Sequence, residues 1–334
     1  MRTIVHSVRT FVLICAFALC AGRSSSQSIT TGDGKVEIGL GLGPMFFLGD
    51  LGGNYGTGKT FIKDVNLPLT KLSKGVFISV APTEWLAFRF AFNQSMVDGY
   101  DSIIKSKGGE EEFRKARNLD FRSNIWEGYG AVEFYPSVFF EQYDGLKGKF
   151  RPYGIAGIGL FHFNPQGLYY PNYQSPSNPG SSVWVDLTPL RLEGQGMSEY
   201  PTRPQYSLTQ IEIPMGLGFK WYLKENLYVG MEVLHRKTFT DYMDGVSKDY
   251  IDPNLFKKYL SGQQLNEALQ LYYRGDMLYT TTSRIPPGPP SPGTQRGDPK
   301  QNDAFFSTIL RMGWRLNDAE SRSRSRQSRC PTFY

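Results

Sequence analysis

The chain has 334 residues, 40% of them hydrophobic and 20% charged, with a formal net charge of +6. This composition supports a folded core and excludes a disordered or collagen-like chain. Its basic residues are spread along the sequence except for RSRSRQSR at 322–329, so they mark no nucleic-acid face, and neither nucleic acid nor nucleotide is an expected partner. The 14% aromatic content and 36 glycines instead favour short alternating strands of the membrane-barrel kind.

Residues 1–22 read as a signal peptide. Arg2 and Arg9 give a basic start, and Phe11–Ala21 is apolar and too short to span a membrane as a helix, which takes about 20 residues. Cleavage is expected near Ala21 or Gly22, leaving a mature end near Arg23. A lipoprotein signal at Cys20 fits less well because Leu19 precedes the cysteine. With Cys15 and Cys20 removed, Cys330 becomes the remaining thiol, in an oxidising compartment.

Residues 34–316 then alternate with a period of two. Val36, Ile38, Leu40 and Leu42 share one face against Glu37, Gly39 and Gly41. After the link at 50–73, strands are expected at 74–81 and 85–94 around a Pro82-Thr83-Glu84 turn, the second setting Leu86, Phe88, Phe90 and Phe92 against Ala87, Arg89, Ala91 and Asn93. A fourth is expected over 119–135 with an irregularity near 125–127, and a fifth over 153–163. A sixth runs over 208–223, with Ile211, Ile213, Met215, Leu217, Phe219 and Trp221 on one face. It forms a hairpin with a seventh through Leu227, Val229, Met231 and Val233, and the eighth covers 304–316. Since no segment is a long apolar helix, a membrane protein of this pattern must close its sheet on itself.

Long links (50–73, 95–118, 164–207, 238–303) alternate with short ones (82–84, 136–151, 224–226), as in outer-membrane barrels with short periplasmic turns and long extracellular loops. The expected fold is therefore all-β: a closed antiparallel outer-membrane barrel of about eight strands, long extracellular loops with one short helix, and both termini periplasmic. Trp85, Tyr135, Tyr153, Trp221 and Trp314 fall at one end, where an interfacial aromatic girdle is expected. Strand parity sends Glu37, Glu133, Glu212 and Glu232 inward to face Arg89, Lys220, Arg311 and Arg315. Eight strands leave room only for side chains, so these charges read as a paired plug and not an open pore. A soluble β-sandwich gives the same alternation and stands as the alternative fold.

Several motifs suggest other chemistry. Gly53–Thr60 reads GNYGTGKT and satisfies the phosphate-loop pattern, with Lys59 as its lysine. Pro68, however, interrupts the helix that should follow, and an exported chain meets little nucleotide. His162 and His235 are the histidines left for catalysis, and neither has a nucleophile fixed beside it in sequence. Asp241, Asp244, Asp249 and Asp252 lack calcium-loop spacing and read as a solvated acidic loop. No metal or cofactor is expected. Residues 255–272 carry apolar side chains near helical spacing, followed by PPGPPSPG, a stiff linker. Residues 317–334 form a basic tail.

The stretches FLGDLGG from Phe47, RNLDFRSNIWEG from Arg117, RPYGIAGIGLFHFNP from Arg151, LRLEGQG from Leu190, QIEIPMGLGFKWYL from Gln210 and RKTFTDYMDGVSKDY from Arg236, with CP at Cys330-Pro331, resemble the PorG family across nearly the whole mature chain. That family is an outer-membrane component of the type IX protein secretion machinery. The resemblance implies a non-enzymatic scaffold associating with PorK- and PorN-like periplasmic ring proteins and with outer-membrane lipids. The PPGPPSPG insert and the arginine-rich tail depart from the pattern. The second functional reading is an independent small barrel, either a ligand-binding protein or a lipid-modifying enzyme. Contact with a ring protein is expected through Cys330, flanked by Arg322, Arg324, Arg326 and Arg329, because an odd exported cysteine invites pairing between chains.

Overall fold

A computed structural model describes residues 35–51, 70–104, 111–139, 149–173, 180–224, 226–278 and 288–316. The signal peptide, Lys59 with its phosphate-loop match, the arginine-rich tail and Cys330 lie outside the described residues.

Eight long strands close on one another. They are β1 (Lys35–Leu48), β2 (Lys71–Ala81), β3 (Leu86–Tyr100), β4 (Asp120–Phe134), β5 (Phe150–Tyr169), β7 (Thr209–Lys224), β8 (Leu227–Thr238) and β9 (Ala304–Arg315). Each pairs antiparallel with its neighbours in the order β4-β3-β2-β1-β9-β8-β7-β5, and a β4–β5 ladder completes the circle. A short strand, β6 (Val183–Asp186), extends the wall by pairing with the far end of β5. Closure removes the unpaired edges that an open sheet would present.

The alternation is inside-out compared with a soluble sandwich. Leu40, Phe90, Ile158, Leu217 and Leu310 point outward and are 60–73% exposed, while Arg89, Glu133, Glu232 and Arg236 are fully buried in the lumen. A water-soluble sheet pair would reverse this arrangement, because apolar surface of this extent is stable only against lipid or another apolar body. The belt has definite limits. On β4 it runs from Trp126 to Phe134, then gives way to Asn124 and Arg122. About nine residues at about 3.3 Å each, tilted by about 40°, span roughly 23 Å, close to the apolar height of a membrane barrel.

The structure extends or corrects several expectations. β4 pairs with β3 without a register break from Asp120 to Phe134, so the irregularity expected near 125–127 does not exist; Trp126 is an outward residue and Glu127 an inward one. Trp85, Trp221 and Trp314 are exposed at the short-turn end, whereas Tyr135 and Tyr153 are buried inside the barrel. Tyr153 keeps the inward parity of Ile155, and both tyrosine hydroxyls donate to lumen carboxylates. The girdle is completed by Phe134, Phe139 and Phe150, with Trp85 packing against Phe134 and Phe139 and Phe150 against Trp221. Helical structure exceeds the single short helix expected. Among the described residues the α-helices are α1 (Glu111–Arg117) between β3 and β4, and α2 (Phe256–Tyr259) and α3 (Gly262–Tyr272) between β8 and β9. Lys35 pairs with Ala81 and Glu37 with Arg315, so the barrel begins and ends at the short-turn end.

Candidate functional site: a plugged lumen under a loop-built cap

Glycines make room for the rings that surround the lumen charges: a Cβ at Gly39, Gly218 or Gly313 would strike the ring of Phe77, Tyr153 or Tyr228, and one at Gly157 would strike the β4 backbone. Seven of the eight charges expected inside form one alternating chain. Arg311 meets Glu232 at 2.5 Å, and Glu232 meets Arg89 at 2.5 Å. Arg89 then reaches Glu133, which Lys220 contacts at 3.2 Å. Lys220 meets Glu37 at 2.7 Å and Arg315 meets Glu37 at 3.4 Å. Phe77 lies under both Arg89 and Arg311, with guanidinium carbons 5.2 and 4.8 Å from the ring centre. Each buried charge thus has an opposite partner and a ring or hydroxyl beside it, the condition under which burial is tolerated.

The eighth expected charge, Glu212, does not join this chain. It is buried nearer the long-loop end, with Glu127 and Arg236 as its charged neighbours. Arg236 donates to Glu127 through Nε at 3.0 Å and Nη2 at 2.5 Å, and Asn93 adds a bond of 2.5 Å. Sequence reasoning missed Glu127 and Arg236. Parity contained both, since Glu127 is six residues from Glu133 and Arg236 four from Glu232.

Above this second layer the lumen turns apolar. Met45, Phe121, Ile125, Phe161, Phe163 and Phe305 fill it and continue into Met243 and Val246 of the β8–β9 link. Three consecutive layers of side chains therefore occupy the described lumen, and the barrel is a plug and not a pore.

The long links fold into a cap with its own core. Leu190, Leu192 and Met197 from the β6–β7 link pack with Ile251, Phe256, Leu271 and Tyr272 from the β8–β9 link. The run LRLEGQG turns sharply there: Arg191, Gly194 and Gly196 have φ of 53, 80 and 68°, and at Gly194 a side chain would strike the Tyr200 ring, so glycine is required on two counts. The turn presents Glu193, fully buried, to Ser247 N at 3.0 Å, Lys248 N at 2.9 Å and Arg296 Nη1 at 2.8 Å. Arg117, at the end of α1, clamps cap to barrel. It grips both oxygens of Asp101 at 2.8 and 3.0 Å and donates to the carbonyls of Arg296 at 2.5 Å and Asp50 at 2.9 Å.

Asp241 and Asp244 are buried in this knot, which corrects the solvated acidic loop: the covering groups come from links distant in sequence. Asp244 accepts from Leu51 N at 3.0 Å and Val246 N at 2.9 Å. His162 is exposed on the outer wall, its Nδ1 3.0 Å from Thr209 Oγ1, and among the described residues no carboxylate is hydrogen-bonded to its ring to complete a catalytic set. Among the described residues, no three acidic, histidine or cysteine side chains are arranged to hold a metal ion.

No family model matches the chain and no curated protein does. Solved structures similar to it are outer-membrane barrels. Ail of Yersinia pestis has 8% identity over 85% of this chain and 97% of its own, with a TM-score of 0.31. A major outer membrane protein from Thermus thermophilus has 11% identity over 85% and 100%, with a TM-score of 0.36. OprG from Pseudomonas aeruginosa has 11% identity over 86% and 97%, with a TM-score of 0.33. At such identities the likeness concerns architecture alone, and the architecture rests on the strand pairing and outward apolar belt of this chain: a closed eight-stranded antiparallel barrel of the outer-membrane kind.

Proposed function

We propose that the protein is an outer-membrane scaffold component of the type IX secretion machinery, with both termini in the periplasm and bound there to PorK- and PorN-like ring proteins. The observation that carries this reading is where the resemblance-bearing residues meet. Arg117 of RNLDFRSNIWEG binds the Asp50 carbonyl of FLGDLGG, Asp244 of RKTFTDYMDGVSKDY binds Leu51 N of the same stretch, and Glu193 of LRLEGQG binds Ser247 N and Lys248 N. Four separate blocks of the resemblance therefore make one interlocked body, and a sealed lumen beneath it suits a scaffold better than a conduit.

Affinity purification of the full chain from detergent-solubilised envelopes tests this reading. Ring proteins are expected in the eluate, and a barrel recovered at normal abundance without them refutes the scaffold role. Cys330, the remaining thiol after signal cleavage, is expected to form a mixed disulfide or a close contact with a ring component, helped by the arginines that precede it. Non-reducing gels of wild type and Cys330→Ser should differ by one high-mass band; identical patterns with unchanged ring association exclude the contact. Lys59→Ala is expected to leave secretion unchanged, because Pro68 interrupts the helix a phosphate loop needs and an exported chain meets little nucleotide. Lost secretion at normal protein abundance would contradict that.

A further inference from the structure

The seat on which the cap meets the barrel brings together four carboxylates, Asp50 from the β1–β2 link and Asp241, Asp244 and Asp303 from the β8–β9 link. Asp244 and Asp303 are buried to within 1% of full coverage and Asp241 to within 7%. Their hydrogen bonds tie the segments together: Asp244 takes Leu51 N and Val246 N, Asp303 Oδ2 takes Met243 N at 2.8 Å, and Asp50 Oδ2 takes Asp298 N at 2.7 Å. Among the described residues, Asp241, Asp244 and Asp303 have no lysine or arginine in ion-pair contact. Asp303 Oδ1 is buried with no hydrogen-bond partner among the described residues and occupies the space that a side chain at Gly49 would need, beside Asp50.

Several buried acids without a cation cannot all be ionised. We infer that this seat is a proton-binding site: Asp303, and with it Asp241, stays protonated while the cap is docked, and the cap loosens when those protons are removed. Asp303 Oδ1 is the oxygen free to carry a proton without giving up the bond from Met243 N. The surrounding charges do not supply the missing neutralisation. Arg117 is committed to Asp101 and also acts on Asp50 and Asp244, where burial and the Asp50 charge outweigh it; Arg114 acts on Asp50, Arg296 serves Glu193, and Glu193 and Asp298 are themselves acids. Ser247 and Tyr242, packed alongside, are neutral.

Burial, reinforced by the neighbouring acids, pushes Asp241 up to about 9 and Asp244 up to about 8, and raises Asp303 and Asp50 above the ordinary carboxylate value. The sign of the effect follows. Below about pH 4 docked and undocked forms both hold these protons. Above that only the docked form does, so docking weakens as pH rises, and the loss is complete once the docked acids titrate between about 8 and 9 and beyond.

Hydrogen exchange of the full chain in detergent micelles, at about pH 6 and about pH 9.5 and corrected for intrinsic rates, tests the inference. Protection of residues 240–247 is expected to fall at least about tenfold at the higher pH, while β4 amides stay protected; tenfold corresponds to one titrating proton moved by one pH unit. Asp303→Asn keeps an oxygen for Met243 N and is neutral at every pH, so its fall should be smaller than in wild type. Asp241→Asn provides the same comparison if the first variant does not fold. Equal protection at both pH values, or an undiminished fall in the folded variants, overturns the inference. Loss of protection on adding a chelator at about pH 6, reversed by calcium, overturns it too, since the acids would then be holding a metal ion.

Discussion

Glu232→Gln is expected to destabilise the barrel by about 3–5 kcal/mol, the cost of breaking one side of a buried ion pair. Glu232 is fully buried, accepts from Arg89 and Arg311 at 2.5 Å each and takes the Tyr153 hydroxyl at 2.7 Å. A glutamine there leaves Arg89 with Glu133, but strips Arg311 of its carboxylate. Arg311 then sits above Phe77 with the Tyr129 hydroxyl, at 3.3 Å, in hydrogen-bond reach. Because the orphaned charge carries most of the penalty, Glu232→Gln combined with Arg311→Met should be more stable than Glu232→Gln alone. The readout is the temperature at which the folded, fast-migrating gel band is lost, or urea unfolding in lipid vesicles. A double variant no more stable than the single one would show that the penalty arises from lost packing and not from an unpaired guanidinium.

This network shows what parity makes legible. Glu37, Arg89, Glu133, Lys220, Glu232, Arg311 and Arg315 could be placed inside from alternation alone, since a period of two leaves each residue only one of two faces. The eight strands were counted from the same alternation, and the order of long and short links was an independent check on it. Tyr135 and Tyr153 failed because aromatic residues at a strand end serve either the interface or the lumen, and only the parity of Ile155, which Tyr153 shares, separates them. The break expected at 125–127 hid Glu127, and with it the Arg236 pair and the true surroundings of Glu212. Asp241 and Asp244 were illegible for a different reason. Asp244 is held by Leu51 N of the β1–β2 link and its own segment by Glu193 of the β6–β7 link, and no local pattern encodes which loops will cover one another.

Arg117→Met is expected to cost the cap about 3–5 kcal/mol while sparing the barrel and the proposed ring-protein contact. Arg117 is 3% exposed and makes four hydrogen bonds reaching three segments: Asp101 after β3, Asp50 after β1 and Arg296 before β9. Methionine fills similar volume but leaves Asp101 a buried carboxylate whose remaining donor is Leu119 N at 3.1 Å. Arg117→Lys should recover little, because an ammonium cannot reproduce the planar fork on both Asp101 oxygens together with two carbonyls. Exchange at residues 240–250 and 296–303 should rise in both variants. The lumen network lies on other residues, so the heat-dependent gel shift should stay near wild type. The cap is at the long-loop end and the barrel's first and last strands start and finish at the other, so in the proposed orientation ring association depends on the periplasmic end. Arg117→Met should therefore co-purify ring proteins as wild type does, and loss of ring proteins at normal barrel abundance would move the partner's binding surface to the cap.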